Sequence, residues 1–284
     1  MKDDHFRKVS MFFLPALSVA IVGCFCSGGC VPTEKYERTV HLSAPLQAGG
    51  SFEGRTHNGS INLTGAGVSD CDLTATIVAC AMTQEDAKKL AEAVEVKLVP
   101  FGGKLTAKIE KPKRLVSKYV TVDLEVTVPD KTDVELSTHN GAVEILNITG
   151  QINATTHNGS VSCKEVSGQT RLETHNGSVV CEGVTGDVEL KTHNGDIRAS
   201  YTRTAPAVCN ISVVSHNGSV ELICPQDFSA KVEASTHNGT IETELPIMVA
   251  GEVTSHKLQG TIGAGEGKLH LETHNGSIEI RKQK

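Results

Sequence analysis

The stretch Thr174-His175-Asn176-Gly177-Ser178-Val179 decides how the rest of the sequence is interpreted, because near copies of it recur along the chain. The tripeptide His-Asn-Gly begins at His57, His139, His157, His175, His193, His216, His237 and His274, and a degenerate ninth copy begins at Ser255. From His139 onward, successive copies are 18 to 23 residues apart. A period of this length is typical of repeat architectures. The sequence therefore predicts a stack of similar units.

Each repeat unit contains two runs in which apolar and polar residues alternate. In the unit that begins at Thr174, the apolar positions are Val179, Cys181, Val184, Val188 and Leu190. Strict alternation is typical of β-strands with one buried face, so each unit is predicted to hold two short strands. A second turn recurs at Gly150-Gln151, Gly168-Gln169 and Gly186-Asp187. Each 18-residue unit therefore has two strands and two corners.

Two architectures fit this pattern. Asn-Gly between alternating strands favours β-hairpins, and a series of hairpins would give an antiparallel meander. A β-solenoid would instead wind each unit as one coil, with each residue about 4.8 Å above its copy in the previous unit. Repetition of one corner sequence favours the solenoid, because stacked asparagines hydrogen-bond along the stack and Asn-Gly tolerates a left-handed backbone. The predicted corner ladder consists of Asn140, Gly141, Asn158, Gly159, Asn176, Gly177, Asn194, Gly195, Asn217, Gly218, Asn238, Gly239, Asn275 and Gly276.

The N-terminal residues predict export and a lipid anchor. Lys2, Arg7 and Lys8 precede an apolar run at 11–22, which has the layout of a secretory signal and is too short to span a bilayer. The sequence Ile21-Val22-Gly23-Cys24 resembles the bacterial lipobox, in which the cysteine is lipidated and becomes the new N-terminus. We therefore expect a lipoprotein signal peptide at 1–23, lipidation of Cys24, and a location in the bacterial cell envelope, held at the membrane.

The rest of the chain divides into a tether, an N-terminal portion and the repeats. Residues 24–40 are rich in Ser, Gly, Pro and charge without periodicity, which indicates a tether. Residues 41–135 predict a β-rich cap with a helix at 84–94, because Thr83 and Asp86 form a capping box. Residues 136–284 carry the repeats, and the basic residues Arg281, Lys282 and Lys284 are expected to protect the last edge from pairing. The predicted fold class is all-β, a parallel β-solenoid of two-strand coils with a β-rich N-terminal portion carrying one helix.

The repeat region resembles a bacterial family, the putative-adhesin β-strand-repeat proteins, which is an envelope domain of unknown function. The resemblance rests on Val128-Pro129, Val134-Glu135-Leu136 and the stretch 137–145, which look like that family's first strand and its Thr-x-Asn-Gly-x-Val/Ile rungs. It covers roughly residues 120–284 and more faintly 40–119. The resemblance implies a β-solenoid at the cell envelope and no assigned catalytic residue. The histidine before each Asn-Gly goes beyond the generic pattern.

The repeated histidines are candidate metal ligands. In a solenoid they would form an outward column, because the preceding threonine belongs to the inward set. Neutral imidazoles about 4.8 Å apart could pair on Zn²⁺ or Cu²⁺. The competing interpretation is a corner residue copied with its repeat, since a dedicated zinc site has a closed ligand set and this pattern has none. The candidate ligands are His139, His157, His175, His193, His216 and His237.

The cysteines suggest one disulfide. Cys71 and Cys80, nine residues apart, are the pair predicted to bridge in an oxidising envelope. Cys163 and Cys181 occupy the same inward position in adjacent units and are predicted to be small buried hydrophobes.

Composition and motif content narrow the functional classes. The formal charge of −6 favours neither nucleic acid nor an anionic membrane surface. Trp is absent, and only Tyr201 and Phe228 are aromatic beyond residue 136, which removes the stacking platforms of a typical sugar groove. No acid recurs to orient the imidazole of His-Asn-Gly-Ser, so a catalytic constellation is missing.

The sequence therefore predicts a non-enzymatic, lipid-anchored envelope protein with a structural or adhesin-like binding role. Its expected partners are the membrane, through the lipid, and an unknown protein or surface polymer. The alternative is an envelope metal-binding protein that uses the histidine column, and a carbohydrate-active β-helix enzyme is less favoured.

Overall fold

The chain folds into two long β-sheets that pack face to face, with one short helix against the N-terminal part. The computed structural model describes residues 34–111, 120–225, 227–250 and 254–283. Along the repeats the chain alternates between the sheets, so that each coil contributes one strand to each. The predicted fold class, an all-β parallel solenoid of two-strand coils, is confirmed.

The front sheet has twelve strands in the order β20-β21-β18-β22-β16-β14-β12-β10-β8-β2-β6-β5. Their bounds are β2 Ser51–Arg55, β5 Glu95–Phe101, β6 Lys104–Glu110, β8 Asp133–Asn140, β10 Ile152–Asn158, β12 Thr170–Asn176, β14 Val188–Asn194, β16 Asn210–Asn217, β18 Ala230–Asn238, β20 Met248–Val249, β21 Lys257–Ile262 and β22 Gly267–Asn275.

The back sheet has eleven strands in the order β1-β4-β7-β3-β9-β11-β13-β15-β17-β23-β19. Their bounds are β1 Glu34–Pro45, β3 Ile61–Ala66, β4 Asp70–Ala81, β7 Val120–Pro129, β9 Val143–Leu146, β11 Val161–Lys164, β13 Val179–Val184, β15 Ile197–Tyr201, β17 Val220–Cys224, β19 Ile241–Thr243 and β23 Ile278–Lys282. The helix α1 spans Gln84–Glu92.

Neighbouring coils pair in parallel and in register. In the front sheet, β12 pairs with β14 so that Leu172 lies beside Leu190. In the back sheet, β11 pairs with β13 so that Cys163 lies beside Cys181. Equivalent residues of successive repeats therefore form straight rows across the sheets. The alternative of an antiparallel meander is wrong for the repeats, because a hairpin would reverse every second strand.

The order of the coils in the stack differs from their order in the sequence. The first coil, β2 with β3, packs directly on β8 with β9, although the segment from β4 to β7 separates them in the chain. The last coil, β22 with β23, lies between the coil of β16 and β17 and the coil of β18 and β19. The C-terminal coil is therefore an internal layer of the stack.

Two expectations about the C-terminal end are wrong. The degenerate copy at Ser255 is no coil, because it leads into β21, which pairs antiparallel with β18. Arg281 and Lys282 do not protect an open edge, since β23 is paired with β17 on one side and β19 on the other. The spacing of repeats does not encode which unit packs on which, so the sequence pattern could not reveal this order.

The core is aliphatic and runs the length of the stack. The side chains of Val179, Cys181, Val188 and Leu190 are 0–3% exposed. Tyr201 is the bulkiest of the fully buried side chains, and its hydroxyl donates a hydrogen bond to a backbone carbonyl at 3.0 Å, which satisfies its polar atom. The period-2 pattern therefore identifies the buried face of the repeat strands correctly.

The N-terminal portion covers one end of the stack. Strand β7 extends the back sheet parallel to β3, and β4 and β1 then add to it in antiparallel fashion. The hairpin of β5 and β6 extends the front sheet through the parallel pairing of β6 with β2. Helix α1 begins after Thr83, whose hydroxyl accepts a hydrogen bond from the amide of Asp86 at 3.1 Å. The helix buries Ala87 and Ala91 and packs on β1 and β4.

The predicted domain boundaries need correction. The tether 24–40 is wrong from residue 34 onward, because β1 begins at Glu34 and pairs with β4 along its whole length. The segment 41–135 is more than a cap, since it contains the first coil of the stack. The boundary at 135 falls inside β8.

The predicted signal peptide at 1–23 and the lipidation site Cys24 lie outside the described residues. Among the residues that are described, no helix has the length and apolar character needed to cross a membrane.

We expect Leu190→Ala to lower the free energy of unfolding by about 2–5 kcal/mol, because it removes buried apolar surface and leaves a cavity. Leu190 is 0% exposed. The matched control is Asn153→Ala on the exposed face of the front sheet, which should change stability by no more than about 0.5 kcal/mol. Urea denaturation of both variants measures the difference. Similar losses in the two variants would contradict the assigned buried face.

Candidate functional site

The repeated corners lie where each front strand passes into its back strand, and the threonine of each corner is buried there. The hydroxyl of Thr174 donates to the carbonyl oxygen of Gly159 in the neighbouring coil at 2.8 Å. Equivalent bonds of 2.8–3.1 Å are made by Thr138, Thr156, Thr192, Ser215, Thr236 and Thr273. The inward hydroxyl is thus satisfied by the adjacent coil, as a buried polar group requires.

The asparagines form a ladder of side-chain hydrogen bonds. Asn176 Nδ2 donates to Asn158 Oδ1 at 2.8 Å, and Asn176 Oδ1 accepts from Asn194 Nδ2 at 2.8 Å. Seven such bonds of 2.7–2.8 Å join Asn58, Asn140, Asn158, Asn176, Asn194, Asn217, Asn275 and Asn238 in that order. Each internal amide therefore uses one donor and its acceptor to tie three coils together.

The corner glycines stand where a side chain would not fit. Gly177 has φ +153°, and a Cβ placed there would lie 2.1 Å from the carbonyl oxygen of Gly159. Approaches of 2.0–2.2 Å to the adjacent coil recur at Gly141, Gly159, Gly195, Gly218, Gly239 and Gly276. Any Cβ at these positions would force neighbouring coils apart.

The histidines of the corners point outward and stack in a single column. Their ring centroids are 4.7–4.9 Å apart, and the ring planes differ by only 1–5°. The histidine column runs in the order His57, His139, His157, His175, His193, His216, His274, His237, and all eight side chains are exposed. The C-terminal His274 thus stands between His216 and His237.

Parallel imidazole rings do not converge on a shared metal position. Two nitrogens bound to one zinc ion at about 2.0–2.1 Å can be no more than about 4.2 Å apart, which is less than the spacing of the column. Among the described residues, no group of three or more His, Cys, Asp or Glu side chains is placed to hold one ion. Pairing of His139, His157, His175, His193, His216 or His237 on Zn²⁺ or Cu²⁺ would require the rings to tilt, and it stays a prediction.

The predicted disulfide between Cys71 and Cys80 is wrong. Both thiols are free and lie near opposite ends of β4. Nine residues of extended chain span about 30 Å, whereas a disulfide needs Cα atoms about 4.4–6.8 Å apart. Burial raises the pKa of Cys71 to about 12, so this thiol is protonated and unreactive.

Cys163 and Cys181 are buried side by side in adjacent coils. A hydrogen bond with Cys181, together with burial, raises the pKa of the Cys163 thiol well above its usual range. These two cysteines therefore contribute apolar packing to the core.

A groove of about 820 Å³ crosses the outer face of the front sheet from β2 to β22. Two rows of outward side chains line it, and the parallel register places the members of each row side by side. The first row lies at the start of the front strands and contains Asp133, Gln151, Gln169, Asp187, Asn210 and Lys268. The second row lies two residues further along each strand and contains Glu135, Asn153, Arg171, Glu189, Ser212 and His270.

Charged side chains of the groove are paired with one another. Arg171 bonds to Glu189 of the next coil at 2.9 Å, and Glu189 also pairs with Lys191. The hydrogen bond from Lys191 and the charge of Arg171 lower the pKa of Glu189 despite its partial burial. Asp187 accepts a hydrogen bond from the backbone amide of Asn210 at 2.8 Å. The groove therefore carries charges of both signs that are paired with one another.

The repeat pattern does not by itself reveal this groove. Its signal is present in the sequence, because Gln151, Gln169 and Asp187 share the 18-residue period. These residues indicate turns, and the period that aligns the corners also aligns the outward positions into rows. The concavity between the rows depends on the packed sheet and has no counterpart in the sequence pattern.

We expect Gly177→Ala to destabilise the protein by at least about 2 kcal/mol, because the new Cβ would clash with the adjacent coil and the backbone conformation is unfavourable for alanine. Gly67→Ala is the matched control, since a Cβ there meets nothing within 4 Å. Thermal and urea unfolding compare the two variants. Equal stability of both would show that the close approach of the corners does not constrain the stack.

Comparison with known proteins places the fold in a family. The model of the Toastrack DUF4097 family matches residues 114–281. The chain is similar to the crystal structure of a putative cell adhesion protein from Clostridium sporogenes, with 11% identity, coverage of 87% of this chain and 100% of the other, and a TM-score of 0.37. It is also similar to a putative adhesin from Bacteroides fragilis, with 13% identity, coverage of 89% and 100%, and a TM-score of 0.37.

A third solved structure, a putative lipid binding protein from Parabacteroides distasonis, has 10% identity, coverage of 88% and 97%, and a TM-score of 0.27. No curated protein matches the chain. The family model spans more than half of the sequence and includes every complete repeat from His139 to His274. The chain therefore belongs to the Toastrack DUF4097 family.

Proposed function

We propose that this chain is a lipid-anchored protein of the bacterial cell envelope that binds a surface polymer without catalysing a reaction. The observation that carries this proposal is the groove of about 820 Å³ across the coils of the front sheet. A long polymer is held best by contacts that repeat along its length. Rows of side chains about 4.8 Å apart supply such contacts.

The chemistry of the groove supports binding rather than hydrolysis. A glycosidase needs two carboxyl groups beside the bond it cleaves, one of them with a raised pKa that serves as the acid. Glu189 instead has a lowered pKa, because it is paired with Lys191 and Arg171. Asp133 and Asp187 accept hydrogen bonds from backbone amides. These carboxylates therefore form ion pairs and accept hydrogen bonds.

The lipid anchor would tether the N-terminal end of the stack to the membrane. Strand β1 begins at Glu34, ten residues after Cys24. Ten residues of fully extended chain reach at most about 36 Å. The N-terminal end of the stack would therefore face the membrane, and the remaining coils would extend away from it.

We expect Cys24→Ser to abolish incorporation of a palmitate analogue and to leave unprocessed precursor, because the lipidated sulfur is lost. Cys30→Ser is the matched control and should be labelled and processed normally, since Cys30 lacks the aliphatic residue three positions upstream. Metabolic labelling followed by membrane fractionation measures both outcomes. Labelling that survives in the first variant and disappears in the second would assign the anchor to Cys30.

We expect Arg171→Glu to reduce binding to delipidated envelopes, because it reverses a charge in the middle of the groove. Arg198→Glu is the matched control on the back sheet. Both arginines are about half exposed, and both pair with a glutamate of the next coil, at 2.9 Å for Arg171 and 3.3 Å for Arg198. Cosedimentation with delipidated envelopes at pH 7.5 compares the variants. Equal binding of both variants and the unaltered chain would rule out the groove as the binding surface.

A further inference from the structure

The histidine column forms a continuous titratable strip along one edge of the front sheet. Its seven steps of 4.7–4.9 Å give a line of imidazoles about 34 Å long. All eight side chains are exposed, so each ring can exchange protons with solvent. Histidine is the side chain that ordinarily changes charge between pH 5 and 8.

The other charges beside the column nearly cancel. On the same face, the positions two residues before the column histidines include two bases, Arg55 and Lys191, and two acids, Glu173 and Glu272. Glu173 and Lys191 line a hollow of about 370 Å³ together with three column histidines. Beyond the corner, Asp196 accepts a hydrogen bond from a backbone amide at 2.8 Å.

The strands at the two ends of the column add little net charge. Beside the first coil, β6 carries Lys108 and Glu110, which form an ion pair at 2.7 Å. Beside the last coil, Lys257 of β21 lies opposite Ser235, and His256 precedes it. The imidazoles therefore determine whether the strip is neutral or positive.

We propose that the histidine column is a proton-gated binding strip for an extended acidic polysaccharide that lies along the stack axis. This inference rests on the proposed binding role and adds a second contact surface and its regulation. Each ring that takes up a proton adds a positive charge and a second N–H donor to the row, which carboxylate groups of a polymer can contact in sequence.

A polysaccharide fits this strip better than a nucleic acid does. Single-stranded nucleic acid is held by aromatic faces on which its bases stack, and the faces of the column imidazoles are already stacked on one another at 4.7–4.9 Å. An acidic polysaccharide needs charge and hydrogen-bond donors along a line, and it needs no aromatic platform. The histidine column supplies positive charge and N–H donors in a regular array.

The test measures binding of polygalacturonate to the purified full chain at pH 5.5 and pH 7.5, at low ionic strength and with EDTA present. Methyl-esterified polygalacturonate is the uncharged control polymer. We expect the dissociation constant for the acidic polymer to be at least about tenfold lower at pH 5.5, as cumulative charge attraction predicts. The esterified polymer should show no such change.

Two variants locate the effect. His175→Gln/His193→Gln divides the strip into two runs of three rings and should remove most of the gain in affinity at pH 5.5. His41→Gln removes an exposed histidine of the back sheet, away from the column, and should keep the gain. Circular dichroism at both pH values establishes that each variant keeps its β-structure.

Several outcomes would overturn the proposal. These are equal affinity at the two pH values, a gain that survives in the column variant, equal binding of the esterified polymer, or tighter binding of single-stranded DNA. The groove test at pH 7.5 uses Arg171→Glu and does not depend on protonated histidines. Loss of the pH effect with intact groove binding would therefore reject the strip and leave the proposed function standing.

Discussion

The close approach of successive coils at the Asn-Gly corner is the constraint on which the rest of the structure depends. Backbone hydrogen bonds hold parallel strands about 4.8 Å apart, and the corner can keep that distance only because Gly177 and its equivalents have no side chain. The asparagine bonds of 2.7–2.8 Å and the imidazole spacing of 4.7–4.9 Å follow from the same distance. Each of the four corner residues is thus explained by one repeat distance: threonine ties coils inside, glycine lets them approach, asparagine ties them outside, and histidine projects from the edge.

This division of roles separates stability from recognition. The buried aliphatic rows and the corner contacts hold the coils together. The charges of the outward rows can therefore differ from coil to coil without loss of the fold. The ion pair of Arg171 with Glu189 and that of Arg198 with Glu221 join neighbouring coils, yet both lie on the surface and contribute little to stability. The groove and the histidine column use the same repeat distance on one face, which suits both to an extended ligand. The back sheet lacks the column, which is why the proposed binding face is the front sheet.

The position of the C-terminal coil shows that the stack is not assembled as a simple sequential winding. Asn275 bonds to Asn217, which is 58 residues earlier, and accepts a bond from Asn238, which is 37 residues earlier. The coil of β18 and β19 therefore occupies the end of the stack. There β21 pairs with β18 in antiparallel fashion. Strand β21 thereby covers the edge of β18, and the two-residue strand β20 becomes the end of the front sheet, where a very short strand offers little for other molecules to pair with. The same insertion makes the histidine column continuous, since His274 bridges His216 and His237.

The sequence by itself determined the repeat, the two strands and two corners of each unit, the buried face and the parallel stacking, because all of these depend on periods that are visible in the order of residues. Thr174, Asn176 and Gly177 could be assigned to a stacked corner on that basis. Only the tertiary structure decided which coil packs on which, that β1 begins at Glu34 and pairs with β4, and that a groove crosses the front sheet. The physical reason is that local periodicity specifies the shape of one coil, whereas coil order and surface concavity depend on contacts between residues distant in the chain. Identical corner sequences cannot distinguish one neighbour from another, so the inserted segments and the packing at the two ends select the order.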